Sequence, residues 1–594
     1  MESVIKIANC SGFYGDKLSA AREMVEGGPI DVLTGDYLAE LTMAILYNQK
    51  IKRKTGGYVG TFLKQIREVL EPCIENNIKI VSNAGGLNPA GLAEAINEIA
   101  LELGLVVNVA YIDGDDLMSR MQELQSDGER FTNMDTGASL VDSESQVLTA
   151  NAYIGAWGIK EALDQGADIV ICPRVTDAAV VIGPAAWKFN WQRNDYDALA
   201  GALAAGHIIE CGQQATGGNY AFFQEVPSFD SPGYPIAEIE SSGNFTITKH
   251  PGTAGLVSVG TVTAQLLYEI NSPAYLNPDV IAHFDTLNIK QSAKDRVYVS
   301  GCRGSSPPAT HKVCINTLGG FRTTFELLIT GLDIEVKAKV FTDTFFRKVG
   351  GEEQFDKVSV QLIRSDKENP STNEEAFARL RVTVKSREQS LVGRAYVAKI
   401  IEMALANIPG FAMAGMPSSG DSFLAYWPAL VNSKYLVENV HVNGRVITVS
   451  PTNQLDLIPV NYQVPTTIVA KPPLGAEASI PFGRLFGTRS GDKGGCANVG
   501  IWAKNEATYA FLYHFLTVEV FKELLQDMSD FEIVRSELPN IKALNFFVKG
   551  VLEEGAAASV RIDAQAKTLG EYLRAKIIKV PSGLIEQIDL GSVD

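Results

Sequence analysis

Short apolar runs that break at a polar or glycine-rich turn and give way to helical periodicity fill the first 190 residues, and this alternation predicts an α/β fold. Val4 to Ala8 leads into Cys10-Ser-Gly-Phe-Tyr-Gly-Asp16 and a helix-like Lys17 to Val25. Asp31 to Leu33 leads into Thr34-Gly-Asp-Tyr-Leu-Ala-Glu40 and another helix. Ile78 to Val81 precedes Ser82-Asn-Ala-Gly-Gly-Leu-Asn-Pro89, where proline suits the first turn of a helix over Ala90 to Leu103. Leu105 to Tyr111 followed by Asp113-Gly-Asp-Asp116, and Asp168 to Ile171 followed by Pro173-Arg-Val-Thr-Asp177, extend the pattern.

In a parallel sheet all these turns follow strand carboxyl ends, the edge where such sheets bind ligands, so Asp16, Asp36, Asn83, Asp113, Asp115, Arg174 and Asp177 are expected to converge. The competing reading is local, since Asp and Asn are favoured helix caps and Asp16 and Asp36 each suit an N-cap. No GxGxxG follows the first strand and no GxxxxGK[ST] occurs there, which disfavours an NAD dehydrogenase or a P-loop ATPase. The acids are compatible with an oxygen-coordinated divalent cation, at a spacing that is not diagnostic.

Near the other end the chain reads Arg489-Ser-Gly-Asp-Lys-Gly-Gly-Cys-Ala-Asn498. Its glycines free the backbone to approach a ligand, and Arg489, Asp492, Lys493 and Asn498 supply charge and hydrogen bonds; the alternative is a tight hairpin with solvated charges. Between these ends, Lys249-His-Pro-Gly resembles an anion-binding helix start, with His250 suited to proton transfer near neutral pH or to an ordinary turn. Arg303, His311 and Lys312 make a further candidate anion clamp, or a charged connection. The absence of a GxSxG elbow leaves Ser305 and Ser306 without support as hydrolase nucleophiles.

At 594 residues the chain exceeds one core, and two to four domains are expected. The formal charge of -17 argues against nucleic acid as a general partner, and the lack of a long apolar tract argues against a membrane span. The N-terminus enters an apolar strand without the regions of a secretory signal, so a cytoplasmic location is expected. Seven scattered cysteines without zinc spacing fit a reduced compartment; Cys10, Cys302 and Cys496 lie beside glycines and are candidates for reactivity or for plain burial.

The proline-rich stretch from about Ser450 to Ser479 reads as a connector. Beyond it the order is strand Pro481 to Leu485, the Arg489 to Asn498 turn, strand Val499 to Ala503, helix His514 to Met528, strand Ile541 to Val551, helix Thr568 to Lys576 and a strand near Ile577 to Val580, compatible with a small ferredoxin-like α+β unit. The expected organisation is a large multi-strand α/β domain over 1–450, with a division near 200, a connector over 451–479 and a ferredoxin-like domain over 480–594.

The N-terminal motifs, from Ile7-Ala-Asn-Cys-Ser-Gly-Phe-Tyr-Gly-Asp16 to Gly166-Ala-Asp-Ile-Val-Ile-Cys-Pro-Arg-Val-Thr-Asp177, together with Arg489 to Gly500, resemble the acyclic terpene utilisation AtuA family, with its large domain and its small ferredoxin-fold domain. The resemblance covers most of the chain and implies catabolism of branched acids through acyl-CoA intermediates. The expected activity is that of a lyase or hydro-lyase acting on a branched acyl-CoA or related carboxylate by hydration, dehydration or carbon-carbon cleavage, ahead of an oxidoreductase or serine hydrolase. The alternative is a noncatalytic acyl-CoA or metabolite-binding subunit or scaffold. Asp16, Asp36, Asp177 and His250 are the candidate acid/base groups; Asn83, Arg174, Lys249, Arg303, Arg489, Asp492, Lys493 and Asn498 are the candidate substrate-binding groups. The expected partners are a small carboxylate or acyl-CoA, with a homo-oligomer compatible and neither nucleic acid nor membrane.

Overall fold

A computed structural model describes residues 4–451, 458, 460, 462–465 and 467–585. Part of the connector and the last nine residues of the expected C-terminal domain therefore lie outside the described residues.

The early apolar runs form strands β1 (Val4–Asn9), β2 (Val32–Gly35), β3 (Lys79–Ser82), β4 (Val109–Asp113) and β6 (Ile169–Ile171), while β5 (Val147–Ala152) leaves for another sheet. The five run parallel in the order β1-β2-β3-β6-β4. They read as continuous apolar runs because both faces are covered. Ile5, Ile7, Val32, Val81 and Val170 join one core, packed with helices Trp157–Asp164, Ala179–Phe189 and Tyr196–Ile209. Ala8, Leu33, Ile80, Ile169 and Ile171 join the opposite core, with helices Ala20–Glu26, Glu40–Lys52, Gly60–Glu75 and Pro89–Glu102. The result is a three-layer α/β/α sandwich whose parallel strands all end at one edge.

Antiparallel strands β7 (Pro235–Glu240) and β8 (Phe245–Lys249) continue the sheet from β1, and Glu438–Val442 pairs with β4 at the far side. Strands on both sides of residue 200 thus belong to one sheet. A second sheet is built on the 21-residue strand Thr310–Thr330. Its first half pairs with β5 and with Asp421–Asn432, and its second half with Phe377–Ser386, over a separate aromatic core of Phe325, Phe341 and Phe345. The Val313 to Ala152 register carries Lys312 to the edge where the five parallel strands end, with the Tyr153 N–H donating to the Lys312 carbonyl at 2.8 Å.

The small domain is a four-stranded antiparallel sheet in the order Phe486–Lys493, Cys496–Ala503, Ala543–Val548, Ile533–Leu538, covered by helices Glu506–Phe515, Val518–Leu524 and Leu569–Arg574 over its own core. Four sequence expectations change, the first being the helix His514 to Met528, which is the end of helix Glu506–Phe515 followed by a separate helix Val518–Leu524 and a 3-10 turn. The Arg489 to Asn498 turn is mostly strand, a hairpin whose two connecting residues are Gly494 and Gly495. Pro481 to Leu485 is a strand end followed by a 3-10 turn, because the pairing strand is Glu477–Pro481. The strand Ile533–Leu538 went unread because only Ile533 and Leu538 of its six residues are buried, which leaves no alternating apolar signal. Among the described residues no helix is long and apolar enough to cross a membrane.

Candidate functional site

At the carboxyl edge of the parallel strands a cavity of about 780 Å³ opens between the large domain and the hairpin of the small one. Asp16, Asp36, Arg174 and Asp177 line it from the large domain, and Arg489, Asp492 and Lys493 from the hairpin. Capping does not explain the first two. Asp16 accepts from the Gly12 and Lys17 N–H groups at 2.8 and 2.7 Å and from the Tyr234 hydroxyl at 2.6 Å, whereas Ser19 holds the N-cap of the following helix. Asp36 accepts from the Leu38 N–H at 3.1 Å and the Asn83 amide at 2.5 Å, whereas Ala39 is the next N-cap.

Arg174 is the centre of the large-domain half. Its guanidinium, 2% exposed, donates to Asp177 Oδ1 at 2.9 Å and to the Leu38 carbonyl at 3.2 Å, and lies 4.0 Å from the centre of the Tyr153 ring. The Tyr153 hydroxyl donates to Glu40 at 2.9 Å, and Lys312 reaches the same carboxylate at 3.4 Å. Burial works against ionisation of Glu40, but Lys312 and Arg174 outweigh it and hold the carboxyl down at about 2. Asp36 and Glu210 go the other way. Burial, joined by the negative charge of Asp177, pushes both well above the usual carboxylate range, further than Arg174 can offset. Glu210 also contacts the buried His207, Oε1 to Nδ1 at 3.1 Å, and burial depresses that imidazole to about 4.

The small-domain half is anchored by asparagines. Asn498 donates to the Leu267 carbonyl at 2.6 Å and to Asn545 at 2.9 Å, and accepts from the Glu269 N–H at 2.8 Å. Glu269 sits at φ +56°, a left-handed conformation that a long side chain adopts only under constraint. That constraint places its carboxylate beside Lys567 at 3.2 Å, and Lys567 also bonds the Tyr268 hydroxyl and lies 3.4 Å from Asp492. Burial and Glu269 raise Asp492 to about 7, while Lys567 pulls it down. Arg489 bonds Gln214 and stacks 4.1 Å from the Tyr268 ring centre. Lys493 is half-buried with its ammonium 5.3 Å from the Tyr275 ring centre, and makes no side-chain hydrogen bond or ion pair among the described residues. Burial disfavours its charge, but Tyr275, Glu269 and Asp177 more than compensate and raise its pKa. The hairpin glycines serve domain contact rather than ligand approach: a Cβ at Gly491 would meet Tyr268 at 2.5 Å, and the Gly495 N–H donates to Asp135 at 3.1 Å.

Several sequence candidates lie elsewhere. His250 is buried against the Ala20–Glu26 helix, its Nε2 2.8 Å from the Met24 carbonyl. Lys249 donates to the Thr253 carbonyl at 2.7 Å and faces Asp295 at 3.4 Å, so this turn secures structure and presents no anion site. Arg303 pairs with Asp197 at 2.8 Å, outside the cavity lining. Asp113 binds His441 at 2.7 Å and Asn439 at 2.9 Å where β4 meets its neighbour. Asn83 and Asn498 do not line the cavity but position Asp36 and Glu269. The cysteines Cys10, Cys302 and Cys496 are buried, and burial raises each thiol, Cys10 and Cys496 to about 12, so none has the environment of a reactive thiolate. No group of three or more His, Cys, Asp or Glu side chains among the described residues is arranged to hold a metal ion.

Asp115, also expected at the edge, is 4% exposed and accepts from Asn151 at 2.8 Å and from the Arg174 N–H at 3.2 Å, beneath the cavity. Burial lifts it to about 7. The unfolded chain then loses this proton near its ordinary pKa while the folded chain keeps it, so the contribution to stability is full below about pH 4 and is lost as pH rises toward 7. Asp115→Asn is expected to remove from the wild-type profile a decline on the order of 1 kcal/mol per pH unit in that window. Denaturant unfolding of both proteins at pH 4.5, 5.5, 6.5 and 7.5 measures it, and parallel profiles would refute it.

Glu40, Glu210, Glu269, Lys312 and Lys567 complete the cavity. The model for the family described as acyclic terpene utilisation family protein AtuA matches residues 5–442, and the AtuA ferredoxin-like domain model matches residues 480–579. No curated protein matches the chain. With the first match spanning most of its length and the second its small domain, the chain belongs to the AtuA family.

Proposed function

We propose that the protein is a metabolic enzyme of the lyase or hydro-lyase class, acting on a branched acyl-CoA or related carboxylate in the utilisation of acyclic terpenes. The observation that carries this reading is the pair of acids Asp36 and Glu210, whose pKa values burial raises, lining the same cavity as Glu40, which Lys312 and Arg174 hold ionised against its burial. Carboxyl groups driven to opposite protonation states in one site are the arrangement that acid and base catalysis requires. In dehydration a carboxylate takes the proton from the carbon next to the carbonyl, and a carboxylic acid protonates the departing hydroxyl, which leaves as water. Hydration is the reverse. Asp177 supplies the base on this reading, Asp36 or Glu210 the acid, and Lys312, Lys493 and Arg489 attract the anionic head or the developing enolate. The family description supports the metabolic setting.

The test is incubation of purified protein with a metabolite extract and a panel of branched acyl-CoA thioesters and acids, followed by mass spectrometry. Product formed by wild type and lost in Asp177→Asn supports an enzyme. Ligand retained by wild type with no turnover of any compound replaces it with a binding subunit.

A further inference from the structure

A second cavity of about 250 Å³ adjoins the first, and Tyr153, Asp177, Lys312 and Lys493 line both. Its remaining wall differs in kind. Leu276, Pro278, Pro308, Pro428, Leu430 and Phe547 give it a largely apolar wall, beside the polar Asp135, Asn277 and His311, drawn from separate parts of the large domain and one strand of the small one. Leu276 is 57% exposed and Leu430 41% exposed, so apolar surface is left uncovered beside a charged site. Burying that surface is favourable for any apolar group that fits.

We propose that this annex binds the aliphatic body of the substrate, with its carboxylate or thioester carbonyl at the junction between Lys312 and Lys493. The assignment rests on the catalytic reading of the charged cavity and narrows it to acids with an extended apolar chain. Two observations direct it. The junction holds an ammonium, Lys493, that makes no ion pair within 4 Å among the described residues, and an anionic head stopped there projects its chain toward prolines and leucines. A second charged group on the chain would be stranded against that wall, so short dicarboxylates are disfavoured. A thioester held the same way would run its carrier arm out through the larger charged cavity, past Lys567 and Arg489.

The test is calorimetric titration of the intact protein with propanoate, pentanoate, heptanoate and 5-methylhexanoate, with succinate as the doubly charged comparison and heptanoyl-CoA as a parallel arm for a thioester. Affinity is expected to rise roughly threefold to fourfold per methylene from propanoate to heptanoate, and succinate to bind no better than propanoate. Leu276→Asp and, independently, Leu430→Gln should flatten the gradient, whereas Lys493→Ala should weaken every member alike. Because the gradient is a ratio within each variant, partial loss of folded protein does not change it. A gradient in either the free-acid or the thioester arm, sensitive to both annex substitutions, supports the proposal even if no turnover is found. No binding at all, a flat wild-type series, or a gradient unchanged in both annex variants overturns it, and does so whether or not the charged cavity proves catalytic.

Discussion

Arg174→Ala is expected to lower folding stability by roughly 3–5 kcal/mol, the range for removing one partner from a buried charge network. The guanidinium is 2% exposed and spans the ends of β2 and β6 through the Leu38 carbonyl, Asp177 and the face of Tyr153. Its loss leaves Asp177, Asp36 and Glu40 at the same edge without the cation that faces all three. Arg174→Lys keeps the charge but not the planar group that bonds and stacks at once, so it should recover only part of the deficit. Denaturant unfolding midpoints at constant m-value measure both variants. A loss under about 1 kcal/mol for the alanine variant would show that the surrounding acids relax or take up protons at little cost.

The large-domain half of the cavity was legible in the sequence because a parallel sheet turns sequence order into geometry. Each apolar run that stops at a polar turn delivers that turn to the same edge, so Asp16, Asp36, Arg174 and Asp177 could be collected before any coordinate was known. The same rule failed at Asp113, because a strand from residues 438–442 pairs with β4 and captures that carboxylate, a long-range partner that local pattern does not announce. At Lys249 and His250 it is composition alone that suggests an anion-binding turn, and the side chains are spent on Thr253, Asp295 and Met24. Glu40 stood inside a motif already singled out, yet a carboxylate in a turn carries no mark of its protonation state. That state comes from burial and neighbours such as Lys312 and Arg174, far away in sequence. Glu269 and Lys567 gave no sequence signal: one follows an apolar helix, the other an unremarkable loop, and the docking of Asn498 and Asn545 on residues 267–270 brings them together. The hairpin glycines allow close approach, and what approaches them is Tyr268 and Asp135.

Of Glu210→Gln and Asp36→Asn, the substitution at the residue that donates the proton is expected to reduce turnover of the substrate found by mass spectrometry by about 10²- to 10⁴-fold, the usual contribution of a positioned general acid. Both substitutions preserve shape and hydrogen-bonding capacity while deleting the titratable proton. The wild-type sign follows from the raised pKa values of both acids: the proton is held to higher pH than an ordinary carboxyl holds it and is lost as pH rises through the elevated value, so the rate should fall on the alkaline side of the profile. Only the variant of the residue that donates the proton should lose that alkaline limb, which separates the two acids. His207 sharpens the choice, since burial keeps its ring neutral and 3.1 Å from Glu210, where it can hold the Glu210 proton without competing as a cation. His207→Ala should therefore shift the alkaline limb if Glu210 is the acid and leave it unmoved if Asp36 is. A profile of turnover against pH for wild type and the three variants decides the matter. Full turnover with an unchanged profile in both Glu210→Gln and Asp36→Asn would remove these acids from the chemistry and leave them as buried polar groups of the cavity wall.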